Sequence, residues 1–230
     1  MPISNFDGET FVAFIDISGF KQLMNDKKRA WDALDKFYEY GYKELKEMGR
    51  RDNASVEGFF ISDCGILFVR NCDNSIKCLK VLLKVIKELN RKMLNYDFML
   101  TTTVAYGEFK CQERFEYSGI EKNPIYGKAY VCALMDNESG KPKIQPGQCR
   151  IVKQGLPDKL ISSIDNISND EILRMVKRRD NDKDHYYFYW MVETPNEIKQ
   201  FEEEYTDAYN LKYAGMLKAL KRNRDGRHFR

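Results

Sequence analysis

The segment FVAFIDISGFKQLM, Phe11–Met24, joins an apolar run to a helical pattern and is the starting point for the fold prediction. Its first half is rich in aromatic and β-branched residues, which is typical of a buried β-strand. Asp16 closes that run, and Gly19 follows three residues later, just before the helical pattern begins. An acid at such a place is usually a cap or turn residue, and the alternative is a ligand-binding group.

The chain around this segment predicts the order strand, helix, strand, strand, helix, strand. Apolar residues three and four positions apart predict the helices, and short apolar runs bounded by turn residues predict the strands. The predicted bounds are strand 10–16, helix 21–48 with a break expected near 25–26, strands 55–62 and 65–70 around a turn at Asp63–Cys64, helix 74–94, and strand 97–109 stopped by Gly107. This order is that of the split βαβ or ferredoxin-like fold of the α+β class.

Beyond Glu108 the pattern is less regular and predicts a hairpin arm, a short helix, a late aromatic strand and a long final helix. Their ranges are 109–119, 126–139, 185–193 and about 196–222. The sequence contains no internal repeat and no low-complexity linker, which favours a single domain over residues 1–230. We expect a core over about 9–139, a C-terminal elaboration over about 140–222 and a basic tail over 223–230.

Composition restricts the class of protein. The 230 residues are 43% hydrophobic with a net charge of +3, so the chain can bury a core and does not have the strong basic excess of a nucleic-acid binder. We expect a cytoplasmic protein without a membrane span, because neither a signal peptide nor an apolar run of about 20 residues is present. Without a CxxC pair, the cysteines are predicted to be reduced structural thiols. They are Cys64, Cys72, Cys78, Cys111, Cys132 and Cys149.

Two acids are predicted to meet at one edge of the sheet. In the split βαβ fold the first strand is the central neighbour of the third, which places Asp16 near Asp63 at the hairpin tip. Two carboxylates held close repel each other unless a cation lies between them. Oxygen ligands of this kind suit Mg²⁺ or Mn²⁺. Each acid alone also has a structural interpretation, Asp16 as a cap and Asp63 as a hairpin residue.

The glycine turn adds a candidate phosphate site. Backbone N–H groups of Ser18, Gly19 and Phe20 are expected to point outward where a helix begins, an arrangement that binds anions. Lys21 is a candidate for a further phosphate contact. A P-loop motif is absent from the sequence, so turn amides and metal would hold a triphosphate instead.

Several motifs together resemble one family. FIDISGF and FFISDCGILF are similar to the first and second metal-binding motifs of class III nucleotidyl cyclases, and TVAYGEF and IYGKAYVCALMDNES resemble later parts of that catalytic domain. The residues of these motifs are most similar to those of the small bacterial pyrimidine cyclases of the Pycsar antiphage system. The resemblance covers roughly Phe11 to Ser139.

The resemblance implies an enzyme that converts UTP, or CTP, to the 3′,5′-cyclic monophosphate and pyrophosphate. It implies two Mg²⁺ or Mn²⁺ ions held by Asp16, Asp63 and the carbonyl of Ile17. It also implies a head-to-tail homodimer with active sites at the interface, and a cyclic product that acts on a separate effector in antiphage defence.

Three positions depart from the purine cyclases of the family. Phe59 stands four positions before Asp63, where they carry a Lys or Glu that reads the base. Val131 and Met135 stand four and eight residues after Gly127, where they carry an Asn and an Arg. These departures favour a pyrimidine substrate, and they also motivate a rival interpretation, a catalytically inactive relative that binds a nucleotide or a protein.

The sequence offers candidates for the base pocket and for the cation that would replace the Arg of the purine cyclases. Phe59 is predicted to line the base pocket with Glu57 or Ser55 of the same strand, although Phe59 as a core residue is an equal alternative. Lys128, Arg150 and Lys153 are candidates for the cation that stabilises the transition state. The aromatic residues of the final helix fall at helical spacing, which favours core or dimer packing over a platform for nucleic-acid bases.

Overall fold

The computed structural model describes residues 4–47, 54–71, 73–115, 121–122, 124–166, 170–209 and 212–224. The strands are β1 (Phe6–Ile17), β2 (Ser55–Ile61), β3 (Cys64–Arg70), β4 (Leu100–Cys111), β5 (Arg114–Phe115), β6 (Glu121–Lys122), β7 (Ile125–Tyr126), β8 (Cys149–Val152), β9 (Val176–Arg179) and β10 (Asp182–Phe188). The helices are α1 (Phe20–Leu23), α2 (Lys27–Glu47), α3 (Ser75–Leu94), α4 (Lys128–Ser139), α5 (Asp158–Asp165), α6 (Glu197–Tyr209) and α7 (Lys212–Arg224), with a short 3₁₀-helix at Leu173–Met175.

The main sheet of the described residues follows the order β2-β3-β1-β4-β8-β10-β9, and β7 pairs with the far end of β4. The first four strands in this order are antiparallel, and β8 joins them parallel to β4. The predicted strand and helix order is therefore confirmed, and so is the α+β, ferredoxin-like core. This order places β1 between β3 and β4, at the centre of the core.

The two faces of the sheet carry different layers. Phe11, Ala13 and Ile15 of β1 belong to the large core cluster that includes residues of α2 and α3. Val12 and Phe14 belong to a second cluster, on the opposite face, that includes residues of α4. Because side chains alternate along a strand, Asp16 lies on the face of Phe14 and α4.

Helix α2 packs closely on the hairpin formed by β2 and β3. Gly41 faces the ring of Phe60, and a Cβ atom on Gly41 would lie 2.1 Å from Phe60 Cζ. The ring of Phe37 contacts the same phenylalanine edge to face, with centroids 4.9 Å apart. The break predicted near residues 25–26 is confirmed, because α1 ends at Leu23 and α2 begins at Lys27. Asp26 Oδ1 accepts a hydrogen bond from Arg29 N at 3.1 Å and so caps the start of α2.

The hairpin turn lies one residue earlier than predicted. Ile61 pairs with Cys64, so the loop consists of Ser62 and Asp63, and Cys64 is the first residue of β3. Ser62 adopts a φ of 55°, as the first residue of a tight two-residue hairpin loop commonly does.

Strand β4 and the final helix also differ from the prediction. Strand β4 continues past Gly107, which has a φ of 150° and stays paired with Thr10 of β1. The single final helix is wrong, because α6 and α7 are separate helices that pack together, with Tyr205 Oη 3.5 Å from Met216 Sδ. Their aromatic spacing continues through the interruption, so the sequence pattern did not reveal it.

The C-terminal half contains elements that the sequence did not predict. Strands β8 and β9 have four residues each and α5 has eight, lengths at which periodicity is weak. The late strand begins at Asp182 and ends at Phe188, earlier than expected. Predictions for Met48, Cys72, residues 116–119 and the tail beyond residue 224 lie outside the described residues. Within the described part of the chain, no helix has the length and apolarity needed to cross a membrane.

Candidate functional site

The structure brings Asp16 and Asp63 together at one end of the central strands. Asp16 lies one residue before the end of β1, opposite Cys64 of β3 and Thr101 of β4. Asp63 occupies the hairpin loop, and its carbonyl accepts a hydrogen bond from Ile17 N at 3.0 Å. This bond fixes the loop against the end of β1, so the two acids meet although they are far apart in the chain.

Three side chains converge at this point. One oxygen from each of Asp16 and Asp63 and the sulfur of Cys64 all lie within 4.8 Å of one another, and all three side chains are half-buried. Burial raises the pKa of Asp16 to about 6, and the neighbouring charge of Asp63 adds to this rise. Glu138 of α4 contributes a smaller effect of the same sign. The site is therefore a half-buried concentration of negative charge, which a cation would stabilise.

The structure places Cys64, which was predicted to be a structural thiol, beside two carboxylates. Its Sγ lies 3.6 Å from Asp16 Oδ1 as a weak hydrogen-bond donor. Burial, followed by the charges of Asp16 and Asp63, raises the pKa of the Cys64 thiol to about 12. The physical reason is the position of the turn, one residue earlier than predicted, because Cys64 then belongs to β3 and faces Asp16 instead of occupying the hairpin tip.

The glycine turn has the predicted shape but one amide is already used. Gly19 adopts a left-handed conformation, with φ 75° and ψ 20°, and its carbonyl accepts bonds from the first turn of α1. Ser18 N donates to Met99 O at 2.9 Å, so this amide is not available to a phosphate as predicted. Among the described residues, no acceptor is bonded to the amides of Gly19 and Phe20, and Lys21 is exposed.

The candidate base-pocket residues lie on the same sheet face as Asp16. Phe59 is 8% exposed and belongs to the core cluster beneath α4, together with Phe14. Glu57 precedes Phe59 by two residues on β2, and it forms an ion pair with Arg70 of β3 at 2.8 Å. The register places Glu57 in the row of Val12, four residues or about 13 Å along the sheet from Asp16. The structure therefore holds Phe59 nearer to the acids than Glu57.

The proposed transition-state cations occupy different environments. Arg150 is completely buried, and its Nε lies 2.6 Å from Asp136 Oδ2. Lys128 is exposed in the first turn of α4, and Lys153 is half-buried after β8. Arg150 is thus committed to an internal ion pair, which leaves the two lysines as the more accessible candidates.

Sequence reasoning missed a contact from α2 to the hairpin loop. The hydroxyl of Tyr38 forms a hydrogen bond with the backbone of Ser62, next to Asp63. The Tyr38 ring lies 6.0 Å from that of Phe60, which anchors it on β2. Apolar spacing assigns Tyr38 to the buried stripe of α2, and nothing in that pattern reveals the direction of its hydroxyl.

The donor set at this site fits a hard divalent cation. Two carboxylates that repel each other, beside a strand end with a backbone carbonyl at Ile17, are the ligand types that Mg²⁺ and Mn²⁺ prefer. Burial first, and the charge of Asp63 second, raise the pKa of Asp16, and a bound cation would offset both effects. The thiol of Cys64 is an additional, softer donor at the same place.

Sequence comparisons find no relatives, whereas structural comparisons find many. No protein-family model matches the sequence, and no curated protein sequence matches it. The guanylyl cyclase domain of the RhoGC fusion protein from the aquatic fungus Blastocladiella emersonii is similar in structure, with a TM-score of 0.58 at 13% identity, over 81% of this chain and 96% of that domain.

Two further solved structures show the same likeness. The adenylyl cyclase CyaB from P. aeruginosa has a TM-score of 0.54 at 13% identity and covers 80% of this chain and 95% of its own. The guanylate cyclase domain of RhGC from Catenaria anguillulae, solved in complex with GTP, has a TM-score of 0.55 at 11% identity and covers 80% and 97%. The chain has the fold of a class III nucleotide cyclase catalytic domain.

Proposed function

We propose that the protein is a metal-dependent nucleotide cyclase with its active centre at Asp16 and Asp63. The observation that carries the proposal is the meeting of these two carboxylates, within 4.8 Å, at the end of the central strands of a cyclase fold. Solved structures with this fold include cyclases that act on purine nucleotides. The fold alone does not specify function, so the proposal rests on the site.

In the proposed reaction the ribose 3′-oxygen forms a bond to the α-phosphorus of a nucleoside triphosphate. The bond from the α-phosphorus to the bridging oxygen breaks, pyrophosphate leaves with that oxygen, and the proton of the 3′-hydroxyl passes to solvent. Asp16, Asp63 and the Ile17 carbonyl would hold two divalent cations. Bound there, such cations would lower the pKa of the attacking hydroxyl and neutralise charge on the phosphates. The amides of Gly19 and Phe20, with Lys21, would orient the triphosphate.

The proposed substrate is a pyrimidine nucleoside triphosphate, UTP in preference to CTP. Phe59 supports this, because it stands where the purine cyclases carry a Lys or Glu that reads the base edge, and its ring cannot make those hydrogen bonds. The similarity of the motifs to Pycsar cyclases extends the proposal to a second messenger in antiphage defence that acts on a separate effector. The same similarity suggests a homodimer with the active sites at its interface.

The test is to incubate the purified protein with each of the four nucleoside triphosphates and Mn²⁺ and to identify the products by mass spectrometry. Cyclic UMP or cyclic CMP is expected. Asp63→Asn should lower turnover at least about a hundredfold, because loss even of a group that only supports a metal ligand costs about 10–100-fold. Asp32→Asn, which changes an exposed acid of α2, is the matched control and should leave turnover unchanged.

A second candidate is a catalytically inactive relative that binds a nucleotide or a partner protein. It is favoured by Val131 and Met135, which cannot donate hydrogen bonds, and by the burial of Arg150 in an internal ion pair. Nucleotide binding by calorimetry, without cyclic product from any of the four triphosphates, would select this candidate.

A further inference from the structure

We infer that Cys64 supplies a sulfur ligand to the Asp16–Asp63 site, so that the site binds Zn²⁺-class cations more tightly than two carboxylates alone would. The inference rests on the proposed function in one respect, the use of the two acids as a metal site. It concerns the identity of the cation, which the fold does not determine.

The position of Cys64 follows from strand register. Cys64 is the direct partner of Asp16 across β3 and β1, so their side chains leave the sheet on the same face. The sulfur lies 3.6 Å from Asp16 Oδ1, and Asp63 is the preceding residue. Two ligands of a tetrahedral Zn²⁺, bound at about 2.0–2.3 Å, lie about 3.3–3.8 Å apart. The sulfur and Asp16 Oδ1 already lie at such a distance, 3.6 Å. The three atoms lie within 4.8 Å of one another, so side-chain rotations that bring the farthest pair about 1 Å closer place all three on one ion.

The chemistry of the donor set distinguishes between cations. Thiolate is a soft ligand that favours Zn²⁺ and Co²⁺, whereas carboxylates alone suit Mg²⁺ and Mn²⁺. On binding, the sulfur–metal bond forms and the thiol proton passes to solvent. Three protein ligands would leave one position of a tetrahedral ion for water or a phosphate oxygen. Zn²⁺ should therefore compete with Mn²⁺ at this centre.

The other described thiols do not share this arrangement. Cys78, Cys111 and Cys149 are buried in the core, and Cys132 of α4 is half-buried like Cys64. In the part of the chain that the structure describes, Cys132 is not part of a cluster of metal-binding side chains. Cys132 is consequently the matched control, because its thiol is as accessible as that of Cys64 but lies outside the Asp16–Asp63 site.

The test uses Co²⁺ as a spectroscopic probe, without nucleotide, on the full chain. The wild type and Cys132→Ser should show sulfur-to-cobalt charge-transfer absorption in the near ultraviolet, and Cys64→Ser should lose it. Zn²⁺ should displace Co²⁺ and abolish the band. Zn²⁺ affinity should fall at least about tenfold in Cys64→Ser, because even the loss of a residue that only supports a metal ligand lowers metal affinity about 10–100-fold. Mn²⁺ affinity should change little, because Mn²⁺ prefers oxygen ligands.

Three results would overturn the inference. One is the absence of the band in the wild type, which needs no variant to interpret. Another is its persistence in Cys64→Ser. The third is an unchanged Co²⁺ affinity in Asp16→Asn and Asp63→Asn, which would assign the band to a thiol acting alone. Turnover with Mn²⁺ is measured separately: cyclisation without the band rejects only the sulfur ligand, and the band without cyclisation rejects only the proposed function.

Discussion

His185 is the centre of a buried polar network on the α4 face of the sheet. Its Nδ1 lies 2.9 Å from Asp182 Oδ1 and its Nε2 lies 2.9 Å from Asp136 Oδ1. Arg150 binds the second oxygen of Asp136, and Tyr187 Oη donates to Asp182 Oδ2 at 2.6 Å. An imidazole between two carboxylates can donate to both only when it is protonated.

The stability of the protein should depend on pH through this network. Burial lowers the pKa of His185, but its hydrogen bonds to Asp136 and Asp182 exceed this effect and raise the pKa overall. Its contribution is therefore complete below the unfolded pKa of about 6.5 and is lost as pH rises through the higher folded value. The pKa values of Asp136 and Asp182 are lowered, so their contribution is lost as pH falls through those lower values.

The measurement is urea unfolding of the wild type and His185→Gln at pH 5.5 and pH 9. At pH 5.5 the variant should be less stable by about 3 kcal/mol or more, because it removes the cation that two buried carboxylates share. At pH 9 the difference should be smaller. An equal difference at both values would show that the protonated imidazole does not contribute.

At the scale of elements, the contact between α2 and the β2–β3 hairpin positions half of the candidate site. Gly41 permits the close approach of the helix to Phe60, and Tyr38 reaches from the same helix to the loop that carries Asp63. Helix α2 thus contributes no ligand but holds the strand pair that does.

Gly41→Ala should destabilise the protein by about 1–3 kcal/mol, the usual cost of overpacking a core. Alanine gains up to about 1 kcal/mol in helix propensity over glycine, but its Cβ would meet the Phe60 ring at 2.1 Å. Thermal and urea unfolding measure the balance. An increase in stability would show that the ring moves aside at little cost.

Tyr38→Phe should weaken Mn²⁺ binding several-fold while changing the free energy of unfolding by less than about 1.5 kcal/mol, the usual net worth of one hydrogen bond. The ring remains, but the bond to the loop at Ser62 is lost. Tyr42→Phe is the control, because its hydroxyl lies 3.5 Å from Phe60 N on the strand and not on the loop. Electron paramagnetic resonance of free Mn²⁺ measures the affinity. Equal losses in both variants would indicate a general effect of α2 packing.

At the scale of the whole molecule, α4 exposes an apolar stripe beside the face that carries Asp16. Val131 and Met135 are four residues apart on this helix, with 51% and 52% of their surfaces exposed. Residues at this spacing lie on one side of a helix. Such a surface is suited to the proposed homodimer, whose interface would adjoin the active centre.

Met135→Lys should produce a monomer and reduce turnover, with little change in stability, because the side chain is mostly solvated in one subunit. Multi-angle light scattering measures the mass, and the cyclisation assay measures turnover. Trp31→Lys, at a 70% exposed residue of α2, is the control and should remain dimeric. A wild-type monomer with full activity would contradict the proposed interface.

The sequence by itself determined the core of the fold. The continuous apolar run of β1 and the apolar face of α3 are local patterns, since β1 is buried on both faces of the sheet and α3 packs on it with one side, and they predicted the order that the structure confirms. The same topology led to the expectation that Asp16 and Asp63 approach each other, because strand order places their ends together.

Only the tertiary structure decided the details on which chemistry depends. A one-residue shift of the turn moved Cys64 from the hairpin tip to a position facing Asp16. Arg150 became an internal partner of Asp136, and His185 met the same acid across 49 residues of chain. Register, burial and contacts between distant segments are set by the packing of the whole chain, so no local pattern in the sequence contains them.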